Sequence, residues 1–288
     1  MYICKIDKNT FPIVSQFIQP HEEKCIFLSS QIRRESENLY LLQKNAPSTS
    51  VFKSQNFDDL LGVLYIDSTI FHCIPHIEKI DEDEFSKALS QLIKDNQLKI
   101  KCISGESKGT ELIKNTLKNE LVEPYQINHY KLMTAAEIIN PPEGLSNDDQ
   151  IIRCTQDDME LLFPIQKKYM NEEVAPFGKR ASDAEVSIGL RQILKNQLCL
   201  ALTCDDEVVA KANTNAIGIN WVQLGGIYTH PLYRRNGYAW QLVSAICRRT
   251  YKAGKKTALF VKDINVPAME LYKKLGFTDS GLYEICYF

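Results

Sequence analysis

The stretch from Val222 to Gly254 constrains the fold more than any other. A β-favouring run, Val222 to Thr229, passes through the basic turn Tyr233-Arg234-Arg235-Asn236-Gly237 into an amphipathic helix. In that helix Ala239, Leu242, Val243, Ile246 and Cys247 share one face, Arg248, Arg249 and Lys252 lie near the end, and Gly254 fits the position after the last turn. The order is strand, tight turn, helix, a unit of α/β architecture. A helix start leaves amide groups unpaired and partly positive, which suits a pyrophosphate. Gly237 allows close backbone approach, Arg234 and Arg235 add permanent charge, and the small Ala239 keeps bulk away. The pattern is not the G-x-G-x-x-G of dinucleotide folds, so a nicotinamide site is disfavoured.

Further strands and helices surround this unit. Leu198 to Thr203 and Val208 to Ala212 read as strands about an acidic turn at Asp205-Asp206, and Ala258 to Val261 as another. Ser182 and Glu185 form a capping box ahead of Val186, Leu190, Ile193 and Leu194. Upstream, Asn140-Pro141-Pro142-Glu143-Gly144 and Ser146-Asn147-Asp148-Asp149 are turn formers without apolar periodicity. They divide the chain into residues 1–135, a linker at 136–150, and residues 151–288. In the first part, Gly62 to Ile74 reads as a hairpin turning at Asp67-Ser68. Phe85, Ala88, Leu89, Leu92 and Ile93 form a helical stripe behind Asp81, Glu82 and Asp83. Leu98 to Ile103 reads as a strand and Leu112, Ile113 and Leu117 mark the next helix. The turn between them, Gly105-Glu106-Ser107-Lys108-Gly109-Thr110, carries glycine, but Glu106 would repel an anion, so it reads as a connector. No residue-level repeat relates the two parts, although their order of elements is alike.

Lys plus Arg number 34 against 36 Asp plus Glu, a net charge of -2, which offers no general field for nucleic acid. No stretch approaches the roughly 18 apolar residues of a spanning helix, and the start, with Lys5, Asp7 and Lys8, lacks a signal-peptide apolar region. A cytoplasmic protein without a membrane partner is expected. The nine cysteines contain no Cys-x-x-Cys pair and read as reduced thiols; Cys199 and Cys204 have neither a third ligand nor a His nearby, so no metal is expected.

The turn resembles motif A of the GCN5-related N-acetyltransferases, [QR]-x-x-G-x-[GA] after a strand, with Arg234, Gly237 and Ala239 in its fixed positions. The family's next landmark, a strand followed by Asn-x-x-Ala-x-x-Leu-Tyr and Gly-Phe, is matched by Asn265, Ala268, Leu271, Tyr272, Gly276 and Phe277. The resemblance covers Ile151 to Phe288 and implies an α/β fold, a mixed central sheet flanked by helices. Phe27-Leu28, Leu61-Gly62-Val63, Tyr130-Lys131-Leu132-Met133 and Glu172-Glu173-Val174 resemble the subgroup with an additional, smaller α/β N-terminal domain. That domain lacks the CoA turn, even if it is itself a degenerate half of the same kind.

The resemblance implies acetyl-CoA as acyl donor, lying where the Val222 to Thr229 and Ala258 to Val261 strands splay. Ile227, Tyr228 and Thr229 would serve the pantetheine. The backbone of Arg235, Asn236, Gly237, Tyr238, Ala239 and Trp240 would hold the pyrophosphate beside Arg234, with Asn265 and Tyr272 completing the site. Acetyl transfer needs a neutral amine, a stabilised oxyanion and a proton for the departing thiolate. Tyr272 is the expected acid, since a phenol stays protonated at neutral pH. Glu172 and Glu173 are the candidate bases, and His230, before Pro231, is expected to orient the turn. The acceptor amine, on a small molecule or a protein, and the oligomeric state stay open. The alternative is a regulatory module that keeps CoA without chemistry.

Overall fold

The computed structural model describes residues 1–46, 57–137, 150–175 and 178–288. Its strands form one twelve-stranded sheet. The first part supplies β1 (Tyr2–Lys5), α1 (Phe11–Ile18), α2 (Ile26–Arg33), β2 (Leu39–Gln43), β3 (Leu60–Ile66), β4 (Thr69–Cys73), α3 (Glu82–Asp95), β5 (Cys102–Glu106), α4 (Ser107–Thr116) and β6 (Gln126–Ala135). The second repeats the order with β7 (Gln150–Arg153), α5 (Met159–Tyr169), α6 (Asp183–Asn196), β8 (Cys199–Cys204), β9 (Glu207–Ile217), β10 (Trp221–Thr229), α7 (Tyr238–Lys252), β11 (Lys256–Lys262), α8 (Val266–Lys274) and β12 (Thr278–Tyr287).

The sheet order is β1-β2-β3-β4-β5-β12-β6-β11-β10-β9-β8-β7. Each half thus contributes five consecutive strands, and the two halves exchange their sixth. β6 lies against β11, Leu259 opposite Met133, and β12 lies against β5, Ile285 opposite Ser104. At the centre β6 and β12 run antiparallel, with a bulge between Asp279 and Gly281. Among the described residues only β4 with β5 and β10 with β11 are parallel. The boundary read near Asn140 to Asp149 lies outside the described residues. Whatever its course, β6 from the first part is built into the sheet of the second.

Most expected elements are present at their places. The strand read at Leu98 to Ile103 is corrected: β5 starts only at Cys102. Gln97 adopts φ +50, and Leu98 N–H is spent on Ile93 O at the end of α3, so Leu98 to Ile100 are drawn into the helix exit. The starts of α3, α4, α6 and α8 are capped by side chains. Asp81 caps α3 through Glu84 N, and the Ser182 and Glu185 capping box opens α6.

Helices cover both faces. On one, Leu242, Val243, Ile246 and Cys247 of α7, none more than 1% exposed, pack with Val222, Leu224 and Leu259. Each fully buried aliphatic side chain is worth roughly 1.5–3 kcal/mol. On the other, Leu162 and Ile165 of α5 and Leu190 of α6 pack with Tyr228. Val222, Leu224 and Tyr228 have the same parity along β10, yet Tyr228 lies on the opposite face. The reason is a bulge between Gly225 and Tyr228, with Gly226 at φ +56, which inverts the facing of the strand beyond it.

The halves are also locked through Glu22, a fully buried carboxylate in the turn between α1 and α2. It accepts hydrogen bonds from Ser29 Oγ (2.7 Å), Ile219 N (2.7 Å), Asn220 N (2.9 Å) and Asn220 Nδ2 (2.9 Å). The first half thereby holds the β9–β10 turn. No helix among the described residues is long and apolar enough to cross a membrane, and no disulfide links cysteines among the described residues.

Candidate active site

The parallel pairing of β10 with β11 ends at Leu224 opposite Leu259. Beyond that point the bulge carries β10 away, and the gap opens into a cavity of about 690 Å³. Its wall on one side is Gly225 to Thr229 with Tyr233 to Arg235 and Gly237 to Trp240; on the other, Phe260 to Lys262 with Asn265, Ala268, Leu271 and Tyr272 at the start of α8.

The basic turn forms the far end. Arg235 and Gly237 both adopt left-handed backbone, φ +72 and +77, which brings the chain sharply into α7. A Cβ on Gly237 would have nothing within 4 Å, so the space above it is open. No side chain caps α7, and the amides of a 15-residue helix face that space. The corresponding helix in the first half, α3, is closed to anions: Asp81 occupies its cap and Glu82, Asp83 and Glu84 fill its first turn. The turn read at Gly105 to Thr110 is corrected: Gly105 and Glu106 end β5, and Ser107 to Thr110 open α4 directly. Glu106 accepts from Gly109 N (3.3 Å), and the His72 ring fills the space over Gly105 and Gly109.

Arg234 is turned back toward the strand. Its Nε donates to Thr229 O (3.1 Å) and its Nη2 to Glu172 Oε2 (2.8 Å), while Tyr228 Oη donates to Glu172 Oε1 (2.6 Å). Both oxygens of Glu172 are therefore engaged, and burial together with this carboxylate raises the Tyr228 pKa well above the ordinary phenol value. Asn236 Nδ2 donates to Tyr233 O (3.4 Å), and His230 Nδ1 accepts from Leu232 N (3.4 Å), the turn-orienting contact expected of it. The other ring nitrogen of His230 contacts Lys168 Nζ.

Glu172 and Glu173 sit on a wide π-helical turn, Met170–Val174, that continues α5. Only Glu173 lines the cavity, where its carboxylate is 3.7 Å from Lys262 Nζ, which also donates to Glu173 O (2.7 Å). Tyr272 projects from α8, 6% exposed, with its ring 6.0 Å from that of Phe277. Its hydroxyl takes no hydrogen bond from the described residues, and burial, then the neighbouring Tyr169 and Glu173, hold its pKa well above the usual phenol value. Asn265 caps α8 by accepting from Ala268 N (3.2 Å). Trp240 Nε1 is buried without a partner among the described residues.

The expected site residues thus lie around one cleft, except that Glu172 and Asn236 do not line it. Sequence reasoning missed Tyr169, Phe260, Ile285 and Tyr287, and it gave Tyr130 no place at the site. Tyr130 comes from β6 and stands in register with Lys262 and Tyr283, so the first half supplies part of the cavity wall. Burial pushes the Tyr169 pKa up to about 12. The polar and aromatic alternation of the last strand, Tyr283 to Tyr287, was the signal available for Ile285 and Tyr287.

Residues 206–286, which contain the bulged strand, the turn and α8, match the family model described as FR47-like protein. The fold is that of the GCN5-related N-acetyltransferases. The whole two-part architecture recurs in solved structures. A Drosophila protein is similar at 14% identity over 99% of this chain and 98% of its own, with a TM-score of 0.66. GCN5-related N-acetyltransferases from Sphaerobacter thermophilus (10% identity, 99% and 94% covered, TM-score 0.61) and Kribbella flavida (11%, 96% and 95%, 0.56) are likewise similar from end to end. The chain spans 65% of a GNAT-family protein of Novosphingobium aromaticivorans, at 17% identity, 57% of this chain and a TM-score of 0.43. No curated protein matches this sequence. The GCN5-related fold therefore extends over the first half, where the counterpart of the α7 start is the acid-capped start of α3.

Proposed function

We propose that the chain is an acetyl-CoA-dependent N-acetyltransferase acting in the cleft between β10 and β11. The observation that carries this reading is the cleft itself: two parallel strands part at Leu224 and Leu259, and the gap runs to an uncapped helix start behind left-handed Gly237. That arrangement fits an elongated thioester with a pyrophosphate. The amides of Arg235 to Trp240 would take the pyrophosphate, and the backbone of Ile227 to Thr229 the pantetheine. Thr229 O is already bonded to Arg234, which leaves Ile227 as the freer partner. Arg234 acts by tying the turn to the strand and to Glu172, its charge still facing the cavity.

In the transfer, the acceptor nitrogen forms a bond to the acyl carbon as the carbon–sulfur bond breaks. Tyr272 gives its phenolic proton to the departing sulfur, and the nitrogen loses one in turn. Its raised pKa keeps Tyr272 protonated through the neutral range, as a donor must be. Of the two carboxylates Glu173 is the better placed base, because it faces the cavity while Glu172 is held by Tyr228 and Arg234. Tyr130 and Tyr287, from the exchanged strands, shape the acceptor end.

Purified protein with acetyl-CoA and a panel of amines, followed by release of free thiol, tests the proposal. Acceptor-dependent release is expected. Tight binding of acetyl-CoA without release on any amine would instead support the regulatory, non-catalytic reading.

A further inference from the structure

Lys211 stands at the middle of β9, completely enclosed, on the face covered by α5. Its Nζ donates to Gly226 O (2.8 Å) and to Asn213 Oδ1 (3.0 Å), and lies 4.8 Å from the centre of the Tyr169 ring. No carboxylate of the described residues pairs with it. The groups packed around it are Tyr169 of α5, Cys199 of β8, Cys154 beyond β7, Asn213 and Gly226, and burial lowers its pKa to about 8. Burying an ammonium without a counter-charge is costly, and an apolar side chain of the same length would fill the space without that penalty. The partner it holds is the bulge that opens the cleft. A Cβ on Gly226 would come within 2.0 Å of Asn213 Oδ1 and 2.7 Å of Lys211 Nζ, so glycine, asparagine and lysine are fitted to one another.

In a trans peptide the carbonyl and the following N–H point in opposite directions. A lysine that draws the Gly226 carbonyl toward itself turns the Ile227 N–H the other way, to the side where Ile227 lines the cavity. We propose that Lys211 is a positioning residue: it fixes the Gly226–Ile227 peptide so that the Ile227 N–H is aimed at, and polarised toward, the thioester carbonyl of the acyl donor. Lys211 itself does not reach the cavity and forms no bond to substrate. Its hydrogen bond to the carbonyl strengthens the donor at the other end of the same peptide, as linked hydrogen bonds polarise one another. The inference rests on the acyl-CoA reading of the cleft and adds the residue that sets its oxyanion donor.

The test reads the carbonyl directly, by isotope-edited infrared difference spectra of [1-¹³C]acetyl-CoA bound to the intact chain. Wild type should shift the band to lower frequency than in water. Lys211→Met should return it toward the free value and lower turnover by about 10²-fold, the scale of losing one oxyanion donor. Affinity for CoA without its acetyl group should stay within about twofold. Lys211→Gln, which retains a donor for Gly226 O, should fall between. Should Lys211→Met fail to fold, the wild-type band should move toward the free value as pH rises through about 8. An unshifted band in wild type, a band and turnover unaffected by Lys211→Met, equal loss of CoA and acetyl-CoA affinity in it, or, in that fallback, a wild-type band independent of pH would overturn the role of Lys211 alone. Failure of wild type to bind acetyl-CoA would overturn the cleft reading and this proposal with it.

Discussion

Gly237 works through what it lacks. Its left-handed φ and the open space above it let the chain turn into α7 with the first amides uncovered. Gly237→Glu should abolish acetyl-CoA binding, measured by calorimetry on a folded variant, because it strains the turn and sets a carboxylate at the proposed pyrophosphate position. Tyr272→Phe should leave acetyl-CoA affinity within about twofold and lower turnover by about 10²–10⁴-fold, the usual contribution of general acid catalysis. Lys211 makes stability depend on pH with a definite sign. Its folded pKa, lowered to about 8, lies below the ordinary 10.5, so between those values the unfolded chain binds more protons and stability rises with pH. Denaturant midpoints measured from pH 8 to 10.5 should rise relative to Lys211→Met; parallel curves would contradict the depressed value. Of these three residues the sequence pointed to Gly237 and Tyr272, which stand in motifs of recognisable type and spacing. Lys211 was hidden, because a lysine in a strand carries no sign in sequence that it is enclosed.

Elements were legible where local chemistry sets them and obscure where a distant partner does. The Ser182 and Glu185 box, the Asp67-Ser68 hairpin turn and the α7 stripe are local, and they stand where the residues imply. The start of β5 was misplaced because the exit from α3 competes for Leu98. The bulge at Gly225 and Gly226 was missed as such, since its cause lies across the sheet in Lys211 and Asn213. Glu22 belongs to the same class: nothing in its neighbourhood shows that it caps the β9–β10 turn about two hundred residues on. Removal of a buried charged acceptor strands several donors at once, each costing about 1–3 kcal/mol if unmet. Glu22→Ala should therefore destabilise the chain by about 3 kcal/mol or more in urea unfolding, with Glu22→Gln milder. A loss below about 1 kcal/mol would show that the latch contributes little.

At the scale of the molecule the sequence conveyed two α/β halves of like order and pointed to the second for the proposed acyl-CoA site. The exchange of β6 and β12 was out of reach, because strand pairing between elements far apart in sequence leaves no local pattern. It makes the halves interdependent: β6 covers the edge of β11 and brings Tyr130 into the cavity. A fragment starting near Asn147 should accordingly fail to acetylate the acceptors that the whole chain uses. It also makes the asymmetry between α7 and α3 the decisive feature, since one helix start is bare and flanked by arginines while the other is capped by Asp81 and three more acids. Calorimetric titration of the intact chain with acetyl-CoA tests this most directly. One equivalent bound per chain, lost in Gly237→Glu, is the result predicted; two equivalents, or unchanged affinity in a folded Gly237→Glu variant, would contradict it.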